Sequence, residues 1–327
     1  MKTINRSRLG YIDVAKGLLI FCLLYGHMLI FARLDGINDS VMPILQKSVV
    51  LYATFFMQTF FFITGFCSSF DKDLKKFLWG NVKSLLIPSY LLVLLSYYIQ
   101  SLLLDNSNYV GASPNILSWL SLGGPWFIVS LFWAKIAYWF ISKLNIRQQL
   151  IVIGTLYLIG LGLNIANVIP NYSYHRHVFL MLPYLFLGNF CKKHIDLFNR
   201  WITPLAIFGV VSIVGQFIVT QFVDFYTIPT HDANISINRT FYIHIVNVIT
   251  GTAFILWLSR KINRNHILET FGKGTLLIYL WNGLVNKLVL AVIPYPSGGG
   301  HFSANSLSFN SIPSNNSSIP SSRKTSL

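Results

Sequence analysis

Apolar runs of about twenty residues, separated by short polar breaks, repeat along the chain as far as Pro296. They fall near 11–31, 48–70, 85–104, 125–142, 149–168, 179–191, 202–222, 241–258 and 275–295. Runs of this length predict membrane-crossing helices, because only a helix or a closed barrel satisfies its own backbone in lipid. The expected fold class is all-α, a polytopic membrane bundle of 9–10 transmembrane helices. Residues 297–327 break the pattern: they are rich in Ser, Asn and Pro, without an apolar period, and read as a disordered tail. The expected organisation is a cytoplasmic leader at 1–10, a membrane domain at 11–296 and the tail at 297–327.

The polar breaks carry a charge asymmetry. Residues 1–10, 71–84, 143–147, 192–200 and 259–273 together hold sixteen Lys and Arg, while the alternate loops hold four, Arg33, Lys47, Arg176 and Arg239. Such a bias puts the first set in the cytoplasm, and the N-terminus with it. The expected location is the cell inner (plasma) membrane, crossed several times. Net charge is +15, 11% of residues are charged, 54% are hydrophobic and mean hydropathy is +0.57. The basicity follows from topology, so nucleic acid is not an expected partner and the lipid bilayer is. The three cysteines, Cys22, Cys67 and Cys191, all lie in apolar runs and have no metal spacing; they read as buried small hydrophobes.

One apolar run also carries chemistry. In DVAKGLLIFCLLYGH, at about 100° per residue, Lys16 lies roughly −60° and His27 roughly −40° from Asp13, so the three share a helix face. Ionisable groups inside a membrane helix are costly, turn towards protein and mark a site. Distance divides the stripe: Lys16 lies about 16 Å and Asp13 about 21 Å below His27 along the axis, so the three cannot form a triad on an unbroken helix. Asp13 and Lys16 are i,i+3 neighbours, suited to a supporting pair or to a structural salt bridge.

Other candidates follow along the chain. In the second run Thr64-Gly65 would let another helix come close. The segment at 71–88 concentrates Lys72, Lys75, Lys76 and Lys83, readable as an ordinary lipid-facing basic loop or as a platform for a phosphorylated donor. Lys135 falls inside an apolar run and needs a partner, a snorkelling path or a wet cavity. Trp126 is placed for an interfacial aromatic belt. His175, Arg176 and His177 stand at an outer mouth, as a surface basic cluster or a contact for an anion or sugar. With no third ligand nearby, His-x-His predicts no metal. The last run enters through a Gly-rich turn and holds Asn282, Asn286 and Lys287.

Several segments together resemble the acyltransferase 3 family: RLGYIDVAKGLLIFCLLYGH, FMQTFFFITGF, KKFLWGNVKSLLIPSYLL, GGPWFIVSLFW, LPYLFLGNF and FGKGTLLIYLWN, in that order. The resemblance covers roughly residues 8–290, and its most specific element is a basic residue and a histidine with ten residues between, here Lys16 and His27. It departs at Phe55-Phe56-Met57-Gln58, where the family often reads Phe-His-Met-Pro, and at Asn282, where a histidine is common.

The resemblance implies an integral membrane O-acyltransferase, typically O-acetylating sugars of bacterial surface polysaccharides. Acyl transfer to a hydroxyl needs a base, and His27 is the only histidine in the first 170 residues. It is therefore the expected catalytic group, as base or as transient acyl carrier. Lys16, Lys76 and Lys83 would meet the phosphates of acyl-CoA, with acetyl-CoA as co-substrate and no bound cofactor. Trp126 and the segment His175, Arg176 and His177 would receive the carbohydrate acceptor. Two rival readings remain, a transporter or flippase of a polysaccharide or lipid-linked substrate, and a degenerate, inactive family member.

Overall fold

A computed structural model describes residues 10–34, 48–49, 51–52, 54–103, 115, 125–165, 175–222 and 241–292; the expected leader and tail lie outside them. The described residues contain helices and no strand, an all-α bundle. Each apolar run contains one helix: α1 (Gly10–Leu34), α2 (Phe56–Cys67), α4 (Ile87–Leu103), α5 (Trp126–Ile141), α6 (Ile146–Ile165), α7 (His175–Lys193), α8 (Ile195–Phe222), α9 (Phe241–Ile262) and α11 (Thr275–Val292). Two further helices, α3 (Leu74–Asn81) and α10 (His266–Lys273), lie where the sequence suggested a loop and a turn.

Both additions have local causes. The Asp73 side chain accepts from the Lys75 N–H and caps α3, leaving only 68–73 as a connection from α2. From α3 the chain runs through a π turn (Val82–Leu86) straight into α4. Pro88, in the first turn of α4, lacks an N–H and crowds the preceding turn, which accounts for the wide turn before it. The Ser89 hydroxyl donates to the Leu85 carbonyl at 2.5 Å. At the other end, Asn263 takes a left-handed conformation (φ 58°) after α9, a role that suits a short polar side chain. Asn265 then caps α10 by accepting from the Leu268 N–H at 3.0 Å.

The helices sort by how much protein surrounds them. α2 is buried almost all round, from Phe56 to Phe66, as a helix apolar on every side should be. It packs against α7, α9 and α1, while α1 packs against α9, α10 and α11. α4, α6 and α8 instead turn Leu91, Leu102, Ile151, Leu158, Ile207 and Val211 outward. Apolar surface on that scale belongs in lipid. Four stretches, Gly10–Leu29, Leu74–Leu102, Ile146–Leu163 and Ile195–Gly215, are long and apolar enough to cross a membrane; α2 and α5 are shorter apolar helices. On its inner side α4 buries Ser89, Val93, Ser96 and Gln100, a stripe at i, i+4, i+7 and i+11.

Close backbone contact fixes two of these packings. A Cβ built on Gly65 would overlap the Leu185 carbonyl, and one on Gly188 would overlap the Phe62 carbonyl, so α2 and α7 touch through reciprocal glycines. In the same way Gly17 meets the Leu268 carbonyl and Gly272 the Asp13 carbonyl, which lays α10 across the first turns of α1. Polar pairs join the others: Thr59 and Thr252 hydroxyls 2.8 Å apart between α2 and α9, and Ser212 donating to Asn247 between α8 and α9. Gly188→Ala should cost about 1–3 kcal/mol, read as a lower melting temperature of the detergent-solubilised protein. Gly162→Ala, with no atom within 4 Å of the added carbon, should not lower it.

Candidate active site

α1 is one unbroken helix through Asp13, Lys16 and His27, so the axial separations hold and Asp13 does not reach His27. The lower end of the stripe lies under α10. Gly272 rests against the Asp13 backbone, Asp13 is 2% exposed, and Lys16 Nζ stands 3.6 Å from Asp13 Oδ1. A buried carboxylate needs a counter-charge, and Lys16, at 30% exposed, supplies one while reaching the surface. Lys16 and Asp13 are also within electrostatic range of Cys67 at the end of α2.

Ten residues above the Gly17 crossing, His27 is partly buried. At the same level of α1 the Tyr25 hydroxyl bonds Ser48 Oγ at 2.7 Å, the Tyr25 and Tyr52 rings lie 6.2 Å apart, and Gly26 leaves room for the Tyr52 hydroxyl.

The structure brings Trp126 and His177 together, with ring centroids 4.8 Å apart. His177 is 1% exposed, so it belongs to the interior and not to a surface cluster. His175 and Arg176 share the first turn of α7, and their side chains lie outside the described ones. A chain of ring contacts continues from Trp126 to Phe127 (6.0 Å) and from Phe127 to Tyr279 on α11 (5.3 Å). Register relates the two histidines. His177 lies eleven residues, about 16 Å, above Gly188, which packs between Phe62 and Phe66. That puts it level with the turn leading into α2, where Tyr52 meets Gly26 beside His27. The two imidazoles therefore sit at about one depth of the bundle.

The cations lie at the other end, and many have structural work. Lys192 donates to the Ser68 carbonyl (2.7 Å), Lys143 to the Phe70 carbonyl (2.8 Å) and the Trp139 indole to the Lys72 carbonyl (2.9 Å). These satisfy carbonyls left open where α2 ends and tie the 68–73 connection to α5 and α7. Arg260 bonds Asn199 Oδ1 at 2.9 Å and lies over the Tyr11 and Phe198 rings. Lys135 finds its partner in the Phe77 ring, 5.9 Å from its ammonium. Lys76 is exposed on α3, and Lys83 is exposed with its ammonium 5.2 Å from the Trp79 ring centre. A half-open cleft of about 260 Å³ at this end is lined by Tyr138, Gln149, Phe186, Asn189, Lys193 and His194 among others. Among the described residues no group of three His, Cys, Asp or Glu could hold a metal, and the three cysteines are free.

Sequence reasoning gave no role to Lys143, Lys192, Arg260, Tyr279 or Asn286. For the cations the only local signal was their position in basic loops, while their partners are carbonyls and rings far away in the chain. Lys16→Met should cost about 1–3 kcal/mol, less than for a fully buried pair because Lys16 is partly exposed. Asp13→Asn should cost less, since a neutral amide needs no counter-charge, and the double substitution should recover part of the Lys16→Met loss. Thermal unfolding in detergent reads all three.

A family model described as an acyltransferase domain matches residues 9–309, nearly the whole chain and every helix described above. No curated protein and no solved structure matches the chain. With its apolar helices and that match, the chain belongs to the acyltransferase 3 family: it is a multi-pass membrane acyltransferase, moving acyl groups other than amino-acyl groups.

Proposed function

We propose that this enzyme moves an acyl group, acetyl by default, from acyl-CoA to a hydroxyl of a surface or exopolysaccharide sugar, with His27 as the general base. The observation that carries this reading is the layout of the bundle: cations gather at one end, His27 and the Trp126–His177 ring pair lie together at a depth away from it, and α1 runs between. The cationic end faces the cytoplasm. There Lys76 and Lys83 meet the donor's phosphates, and the Asp13–Lys16 pair holds α1 beside them. The pantetheine arm is long enough to bring the thioester up to His27. Near His27, the Trp126 ring offers a sugar an apolar face and His177 gives it an edge to bond, with His175 and Arg176 at the rim. The sugar hydroxyl gives its proton to a neutral His27 as its oxygen attacks the acyl carbon.

Transfer of label from radiolabelled acetyl-CoA to a host glycan pool, by purified wild type and by His27→Ala, tests this. The expected result is label in glycan with wild type and a loss of about 10²-fold or more with His27→Ala. Undiminished transfer by His27→Ala would remove the base assignment. Substrate movement across vesicles without any acyl donor would favour a transporter instead.

A further inference from the structure

Asn286 is buried, 3% exposed, and its Nδ2 has no hydrogen-bond partner among the described residues. An unspent donor in a dry interior destabilises the fold, and native proteins keep such groups rarely and for a reason. Asn282, one turn earlier, is different: its Nδ2 donates to the Tyr279 carbonyl at 2.7 Å, within its own helix. Thus the asparagine standing where the family commonly has a histidine is committed to backbone, and the one above it is not.

Two relations connect Asn286 with the candidate site. The first is depth. α11 starts just after Gly272, which lies against Asp13, and then packs along α1. Asn286 is eleven residues, about 16 Å, above Thr275 near the Asp13 level, and His27 is about 21 Å above Asp13, so the asparagine lies about 5 Å below the depth of His27. The second is direction. Asn286 follows Tyr279 by seven residues, which on a helix is about 20° from the same face. Tyr279 faces Phe127, whose neighbour Trp126 packs its ring against that of His177.

We propose that Asn286 is the oxyanion donor of the acyl transfer, its Nδ2–H turned towards the place where the thioester oxygen gains negative charge. This rests on the acyl-transfer reading and adds a residue to it. The sugar oxygen bonds to the acyl carbon while its proton passes to His27, and the carbonyl π pair moves onto oxygen. Asn286 hydrogen-bonds that oxyanion. The carbonyl then re-forms, the carbon–sulfur bond breaks, and the thiolate takes the proton from the imidazolium, leaving an ester and free coenzyme A. A donor that meets a full charge only in the transition state raises the rate without tightening ground-state binding. In the resting protein it is a liability.

That trade gives a signature that a structural asparagine lacks. Asn286→Leu, close in shape, should lower kcat about 10²–10³-fold with acetyl-CoA. KM for acetyl-CoA should stay within about twofold, and the melting temperature should hold or rise, because an unsatisfied donor is gone. Asn286→Ala, smaller and also without the donor, should show the same kcat–KM split and tests the idea if the Leu variant does not fold. An unchanged kcat, or a kcat and melting temperature that fall together in both variants, would overturn the assignment. If wild type transfers nothing from acetyl-CoA, the acyl-CoA reading falls and this one falls with it. If His27→Ala is inactive while Asn286→Leu is active, only the oxyanion role is lost.

Discussion

In lipid, one helix gains little hydrophobic free energy by leaving the bilayer for another, so association rests on how closely two backbones can come. Here glycines supply that closeness at several crossings, Gly209 of α8 against the Thr250 carbonyl of α9 among them. Gly65 and Gly188 bring α2 onto α7, while Gly17 and Gly272 lay α10 across α1. The second contact has a chemical consequence. By covering the first turns of α1 it removes Asp13 from solvent, and a buried carboxylate holds its place only with a cation beside it. Steric permission at two glycines thus leads to an ion pair, and the pair sets how the helix carrying His27 enters the bundle.

Much of this was legible in the residues. The apolar periodicity located the helices because burial in lipid demands long apolar runs whatever the neighbours are. The polar face of α1 was legible too, as a helix of known pitch fixes which residues share a side. What stayed hidden depended on partners distant in sequence. Lys192 reads as a loop cation, and only the fold shows that it caps the end of α2 at Ser68. His177 reads as one of three basic residues at a mouth, yet packing against Trp126 takes it inside. Asn282 and Asn286 look alike on paper; one is spent on its own backbone and the other is not. Two helices were missed for a different reason. α3 and α10 are short, and their signals, the caps at Asp73 and Asn265, sit in segments whose charge suggested loops.

The cationic end shows how one set of charges can answer two demands. A basic excess on alternate loops is what membrane insertion reads. In the folded chain several of the same residues satisfy carbonyls or cover aromatic rings: Lys143 at Phe70, Lys192 at Ser68, Arg260 over Tyr11 and Phe198. These partners are distant in the chain, whereas Lys83 meets only the Trp79 ring of its own segment and Lys76 lies exposed on α3.

The π turn ahead of Pro88 has a geometric consequence for everything above it. From Phe77 to Ser89 is twelve residues, which on a regular helix would leave them about 120° apart. A π turn takes up one extra residue, and with it the offset falls to about 20°. The buried face of α3, Phe77 and Asn81, thereby lines up with the buried face of α4, Ser89, Val93, Ser96 and Gln100. The turn is a phase corrector: without it one of the two faces would have to look at lipid, and two hydroxyls and a carboxamide would be rotated out into hydrocarbon.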